Sequence, residues 1–212
     1  MKQKRIKLIA CLALMAASLT LHAQDSKGQP IVTLFGDFHA AEQQMGFNLE
    51  RAYLGYQHSW GDNWSAKVVY DMGKSGDVSD LQRLGYLKNA LVTYRHGGLT
   101  LTAGLTATEL FNTQEKHWGY RYTAKSFMDD HKWGSSADLG ITAKYTFAPW
   151  VSADLSILNG EGYKRLQLDD QLLYGLGLTL QPLPGLTLRA YGELKPARDT
   201  ACQQTLALFL GY

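Results

Sequence analysis

The sequence predicts an all-β protein, an antiparallel up-and-down transmembrane β-barrel of about ten strands, and three observations predict it. An export signal opens the chain, the remainder alternates apolar and polar residues in segments of about ten, and short connections between those segments alternate with long ones.

The chain begins Met1-Lys2-Gln3-Lys4-Arg5-Ile6-Lys7, runs through an apolar stretch from Leu8 to Leu21, and reaches the small residue Ala23 before Gln24. A basic start, an apolar core too short to cross a bilayer and a small boundary residue are the parts of a secretory signal. Residues 1–23 are therefore expected to be removed and 24–212 to form the barrel. Leu8-Ile9-Ala10-Cys11 suggests a lipoprotein signal instead, but the apolar core lies mostly after Cys11. Loss of Lys2, Lys4, Arg5 and Lys7 turns 21 basic residues into 17 against 19 acidic, a net charge of −2, so no nucleic-acid partner is expected. Cys202 is then the only cysteine, and no disulfide framework is available. Past residue 23 no apolar run approaches the roughly 18 residues of a membrane helix, which leaves a closed barrel for a chain that spans a bilayer.

In chain order, strands are read at 31–39, 47–58, 64–71 and 86–95, where the alternation is noisy, and then at 99–106, where it is clean: Leu99, Leu101, Ala103 and Leu105 oppose Thr100, Thr102, Gly104 and Thr106. In 137–147, Leu139, Ile141, Ala143, Tyr145 and Phe147 oppose Asp138, Gly140, Thr142, Lys144 and Thr146. Ser152, Asp154 and Ser156 form the polar side of 151–157. Further on, Leu176 and Leu178 oppose Gly175, Gly177 and Thr179, and Leu186, Leu188 and Ala190 oppose Thr187, Arg189, Tyr191 and Glu193. Leu206, Leu208, Leu210 and Tyr212 share one face of the last strand.

A soluble sandwich would alternate in the same way, so the connections decide. Those at 60–63, 96–98, 148–150 and 182–185 are tight turns, whereas 73–83, 112–136, 159–171 and 195–203 are longer and more polar; 40–46 fits neither class. Tyr56, Trp60, Trp64, Tyr94, Tyr145, Phe147 and Trp150 fall near the short-turn ends, where an amphipathic ring suits a lipid headgroup boundary. If ten strands complete the barrel, the first, near Leu34, pairs with the last, near Leu208; otherwise the sheet is curved and incomplete.

Specific strings carry a family resemblance: residues 46–56 (GFNLERAYLGY), 63–69 (NWSAKVV), 86–90 (YLKNA), 116–122 (KHWGYRY), 134–140 (GSSADLG) and 158–163 (LNGEGY). In this order they resemble the porin-like outer-membrane proteins of Bacteroidetes, distantly related to phosphate-selective porins. The resemblance covers nearly all of the mature chain and implies a barrel in the bacterial outer membrane and a transport role, with no catalytic residues. Members are often longer, so a short or a truncated member is expected.

Alternation places Arg51, Lys67, Asp71, Arg95, Asp138, Lys144, Asp154, Arg189 and Glu193 on the inner face. Read functionally, they line a channel that sorts small polar or anionic solutes by sign; read structurally, they pair across strands and fill a narrow lumen, since about eight strands are just filled by side chains. The connection 112–136 carries His117, Trp118, Tyr120 and Arg121 among many charges and rings, and either constricts the mouth or caps the rim. His117, His131, Asp129 and Asp130 lack metal-ligand spacing, and no cofactor is expected. Ser135, Ser136, His131 and Asp130 are crowded into a stretch too short for an organised triad, and no Gly-x-Ser-x-Gly elbow exists, so an outer-membrane hydrolase is the weaker rival to a channel or to a structural or adhesive barrel. Expected partners are outer-membrane lipid and small solutes, with a homo-oligomer open.

Overall fold

The computed structural model describes residues 26–41, 44–73, 82–120, 124–167, 169–196 and 202–212; residues 1–23, expected to be an export signal, and Arg121 lie outside them. Five strands come first: β1 (Ser26–Ala41), β2 (Gln44–Trp60), β3 (Trp64–Gly73), β4 (Leu84–His96) and β5 (Leu99–Ala107). Two helices follow, α1 (Glu109–Trp118) and α2 (Phe127–Asp130), then β6 (Ala137–Ala148), β7 (Val151–Leu158), β8 (Leu173–Leu183), β9 (Leu186–Lys195) and β10 (Gln203–Gly211). All ten strands form one sheet in sequence order, every neighbour antiparallel.

The sheet is not closed. Among the described residues β1 pairs with β2 alone and β10 with β9 alone, so the expected pairing near Leu34 and Leu208 is absent. A second departure is the first connection: Ala41 lies opposite Gln44, leaving two linking residues at the end where the other connections are long. At the opposite end the turns are short throughout, and Gly61, Gly97 and Gly185 adopt the positive φ that such turns favour.

Register shows that the period of two is kept across the sheet. One rung runs Leu101, Ala143, Leu155, Leu176, Gly192 and Leu206; the next runs Arg95, Thr100, Lys144, Asp154, Gly177, Tyr191 and Ala207. The faces are inverted relative to a water-soluble protein. Among the described residues fourteen polar or charged side chains are buried against seven apolar ones, while Ile141, Leu155, Leu176 and Leu206, all on the outer side, are 57% or more exposed.

Aromatic rings border that apolar surface. Trp60, Trp64, Tyr145, Phe147 and Trp150 are exposed at the short-turn end, with Trp64 and Tyr94 4.9 Å apart between ring centroids. Exposed Phe38, Phe47, Tyr70 and Tyr174 sit toward the other end of the same face. Leu139 to Phe147 on β6 covers roughly 26 Å of strand at about 3.3 Å per residue, comparable with the apolar band of a membrane barrel.

Arg at Leu101 or Ile141 should therefore cost about 2–4 kcal/mol of folding stability in lipid vesicles, and Arg at the inner-facing Thr102 much less. Denaturant titration checks this; outer-face Arg variants as stable as the unsubstituted protein would count against a lipid-facing surface.

Candidate functional site

By the strand register, all nine charged residues expected on the inner face share one face of the sheet, the face called inner below. Four of them form two ion-paired groups, Lys67, Arg95 and Lys144 are a separate set of bases, and Asp138 and Glu193 are held by hydrogen bonds.

In the first group, Arg189 on β9 grips Asp154 on β7 with both ends of its guanidinium, Nη1 to Oδ2 at 2.5 Å and Nη2 to Oδ1 at 2.8 Å. Nη1 also donates to Thr179 Oγ1 at 2.8 Å, and Nη2 to the Glu109 carbonyl at 3.3 Å. This pair skips a strand. It spans β8 because Gly177 lies between its members, and a Cβ there would collide with both the guanidinium and the carboxylate. Gly175, two residues away, leaves the same kind of room for Ser156 and the Tyr191 hydroxyl, which donates to Glu193 Oε2 at 3.2 Å.

The second group lies on β2–β4. Arg51 Nε is 3.2 Å from Asp71 Oδ1, and Lys88 Nζ donates to the Tyr53 hydroxyl at 3.0 Å. Tyr163, from the connection after β7, reaches across the inner face and donates to Asp71 Oδ2 at 3.3 Å; Lys164 beside it lies 4.6 Å from the Tyr86 ring centroid. Burial, reinforced by the negative charge of Asp71, raises the Tyr163 hydroxyl well above its ordinary pKa. The start of that connection is tied down by Asp138, whose carboxylate accepts the backbone N–H groups of Leu139 at 2.8 Å and Gly160 at 2.6 Å. Near its end, Lys195 pairs with Glu161 at 2.6 Å and Asp169 at 3.3 Å.

Lys67, Arg95 and Lys144 are different: among the described residues none has a carboxylate partner, and Arg95 donates only to Ser65 Oγ at 3.2 Å. Lys144 lies directly opposite Asp154, which Arg189 already occupies. These bases sit toward the short turns, whereas Asp138 and Glu193 sit toward the long connections.

The region expected to be a long loop begins with a helix. Thr108 and Gly119 bracket α1, with Glu109 in the first turn and Lys116 and His117 in the last, a distribution that suits the helix dipole. Leu110 and Phe111 are buried against Tyr191, with Met128 and Ala207 packed around them, so α1 covers an apolar patch on the otherwise polar inner face of β9–β10. His117 stacks edge-on against Phe209 at 5.0 Å, while Trp118 and Tyr120 remain exposed. Ser135 Oγ donates to the Ala137 carbonyl and His131 Nδ1 is paired with the Phe127 carbonyl. No group of three metal-ligating side chains forms among the described residues.

Sequence reasoning missed Glu109, Thr179, Tyr163 and the role of the glycines. Alternating Gly175 and Gly177, facing strands that carry Asp154, Ser156, Arg189 and Tyr191, was the available signal: absent side chains opposite large ones mark a filled interior. No protein-family model matches the chain, and no curated protein is similar enough to match it.

Asp154→Asn should cost about 3–5 kcal/mol, because it removes the bidentate carboxylate from a buried guanidinium and leaves it only the more distant Glu109 carboxylate at 3.9 Å, and Gly177→Ala should also destabilise by forcing the pair apart; denaturant unfolding in lipid measures both. A pH effect follows from Glu109. Burial, then the charge of Asp154, holds its carboxyl above the ordinary range against the opposing pull of Arg189, Lys144 and Lys116. The docked helix thus holds that proton more tightly than an undocked one, so docking strengthens as pH falls through the carboxylate range and weakens as pH rises. Hydrogen exchange of α1 amides should show this trend, and Glu109→Gln should remove it.

Proposed function

We propose that the protein is a porin-like channel of the bacterial outer membrane, passing small polar solutes with a preference for anions. The observation that carries this reading is the inverted sheet: an apolar outer face bordered by exposed aromatic rings, and an inner face of buried hydroxyls and charges. Water alone gives no reason to expose Ile141, Leu155 and Leu176 while burying Asp154 and Glu193; a lipid exterior does. The export signal, the alternation of connections and the resemblance to Bacteroidetes porin-like proteins support the same location. The preference for anions is supported by Lys67, Arg95 and Lys144, none of which makes a direct ion pair among the described residues, since bases on a channel wall lower the barrier for negative solutes.

A structural or adhesive barrel with a filled lumen is the second reading. Docking of α1 through Leu110 and Phe111, and the bridge from Tyr163 to Asp71, favour it because both place mass over the inner face. Current separates the two.

Purified protein in a planar bilayer should conduct in discrete steps, with a reversal potential on the anion side in a salt gradient. Replacing Lys67, Arg95 and Lys144 together with Gln should move that potential toward cation preference. An unchanged potential would remove the bases from selectivity, and absence of current would favour the filled barrel.

A further inference from the structure

The connection from β7 to β8 brings rings and bases together at the long-connection end of the inner face, away from Lys67, Arg95 and Lys144. It is built as a fixed strap. Gly160 and Gly162 turn it with φ of 89° and 79°, and the Asp138 carboxylate accepts the Gly160 N–H at 2.6 Å. The Tyr163 N–H donates to the Ala137 carbonyl at 3.0 Å, which seats its backbone at the start of β6, and the Arg165 N–H closes a turn onto the Gly162 carbonyl at 3.2 Å. From this seat the Tyr163 side chain spans β4 and β5, which separate β3 from β6, and reaches Asp71.

Lys164, the next residue, is exposed, and its Nζ lies 4.6 Å from the Tyr86 ring centroid and 5.5 Å from that of Tyr163. Among the described residues it has no carboxylate partner. Tyr86 is 43% exposed and has no other cation or ring against it among the described residues. Tyr53 nearby is taken: Phe35 lies 5.2 Å away between ring centroids, and Lys88 lies over its face at 4.2 Å.

We propose that Lys164, with the faces of Tyr86 and Tyr163, is a binding site for aromatic acids, flat anions that carry a ring. The inference rests on the channel reading, for which it names a favoured solute class. An ammonium has three N–H donors, and one resting against a ring keeps donors that point away from it. The acid group takes those donors, and the solute's ring lies along the uncovered part of Tyr86. Each contact is weak at an exposed place, which suits a path where a solute must bind and leave. The strap is fixed before the solute arrives, so little ordering opposes binding.

Other solutes use the cluster less fully. An inorganic anion leaves the rings unused. A sugar needs acceptors for its hydroxyls, and the carboxylate of the cluster, Asp71, is 4% exposed and already holds Arg51 and Tyr163. An organic cation meets the charge of Lys164 at the ring faces that would otherwise attract it.

The test titrates purified protein in lipid nanodiscs with benzenesulfonate, an aromatic acid that stays charged, and reads saturation transfer to the probe by NMR against empty nanodiscs. Saturable binding is expected, stronger than that of methanesulfonate, which has the charge without the ring, or of benzenesulfonamide, which has the ring without the charge. Lys164→Gln and Tyr86→Leu should each weaken binding about fivefold, whereas Lys164→Arg should retain it. Lys164 is exposed, so Lys164→Gln reads the site and not the fold. No saturable binding, equal binding of the three probes, or unchanged binding in both the Gln and the Leu variant would each overturn the proposal. Current across a planar bilayer tests the channel separately. Binding that follows the variants without any current refutes the channel reading and leaves the site, whereas current without saturable binding refutes the site and leaves the channel.

Discussion

The two-residue period of the β-strand is the constraint on which the rest depends. Successive side chains point to opposite faces, so one choice of parity on β5 propagates through the register to every neighbour, and a slip of one residue would exchange the faces completely. Leu101 and Thr102 make that choice for their rungs: the first continues into Ala143, Leu155 and Leu176, the second into Thr142, Ser156 and Gly175. Where register shifts, as between Val69 and Tyr70, the bulge absorbs Lys88 and parity resumes beyond it, with Asp71 and Tyr86 on the inner side.

Once the faces are assigned, the inner one must satisfy charge and fill space without an ordinary apolar core. It does so by combining long side chains with missing ones. Arg189 reaches Asp154 over a strand that contributes only Gly177 at that level, and the bidentate geometry is the kind that offsets the desolvation of a buried pair. Apolar packing survives on the inner face at Tyr191 and Ala207, and α1 covers that place with Leu110 and Phe111. The helix is docked there because the polar pattern of the wall is interrupted.

Strand number, order and face assignment were legible because they depend on local alternation and on turn residues. That all nine charges share one face of the sheet follows from parity alone. Their partners were not legible, since pairing depends on reach across strands: Lys144 is the direct neighbour of Asp154, yet Arg189 from the next strand but one takes it. The helix α1 was obscured because its apolar face is only Leu110 and Phe111, too few to show a 3.6-residue period within a charged stretch. Closure could not be read either, because it is a relation between residues far apart in the chain and no local pattern encodes it.

The unpaired bases and the carboxylates of Asp138 and Glu193 occupy opposite ends of the inner face, and this separation makes the wall electrically polar along its length. In the proposed channel, an ion moving along this wall would meet potentials of opposite sign in series, so reversing the driving force would change which charge it encounters first. The expected consequence of that channel is rectification: equal and opposite voltages would drive unequal currents, with the direction of easier flow set by which end of each strand carries its charge.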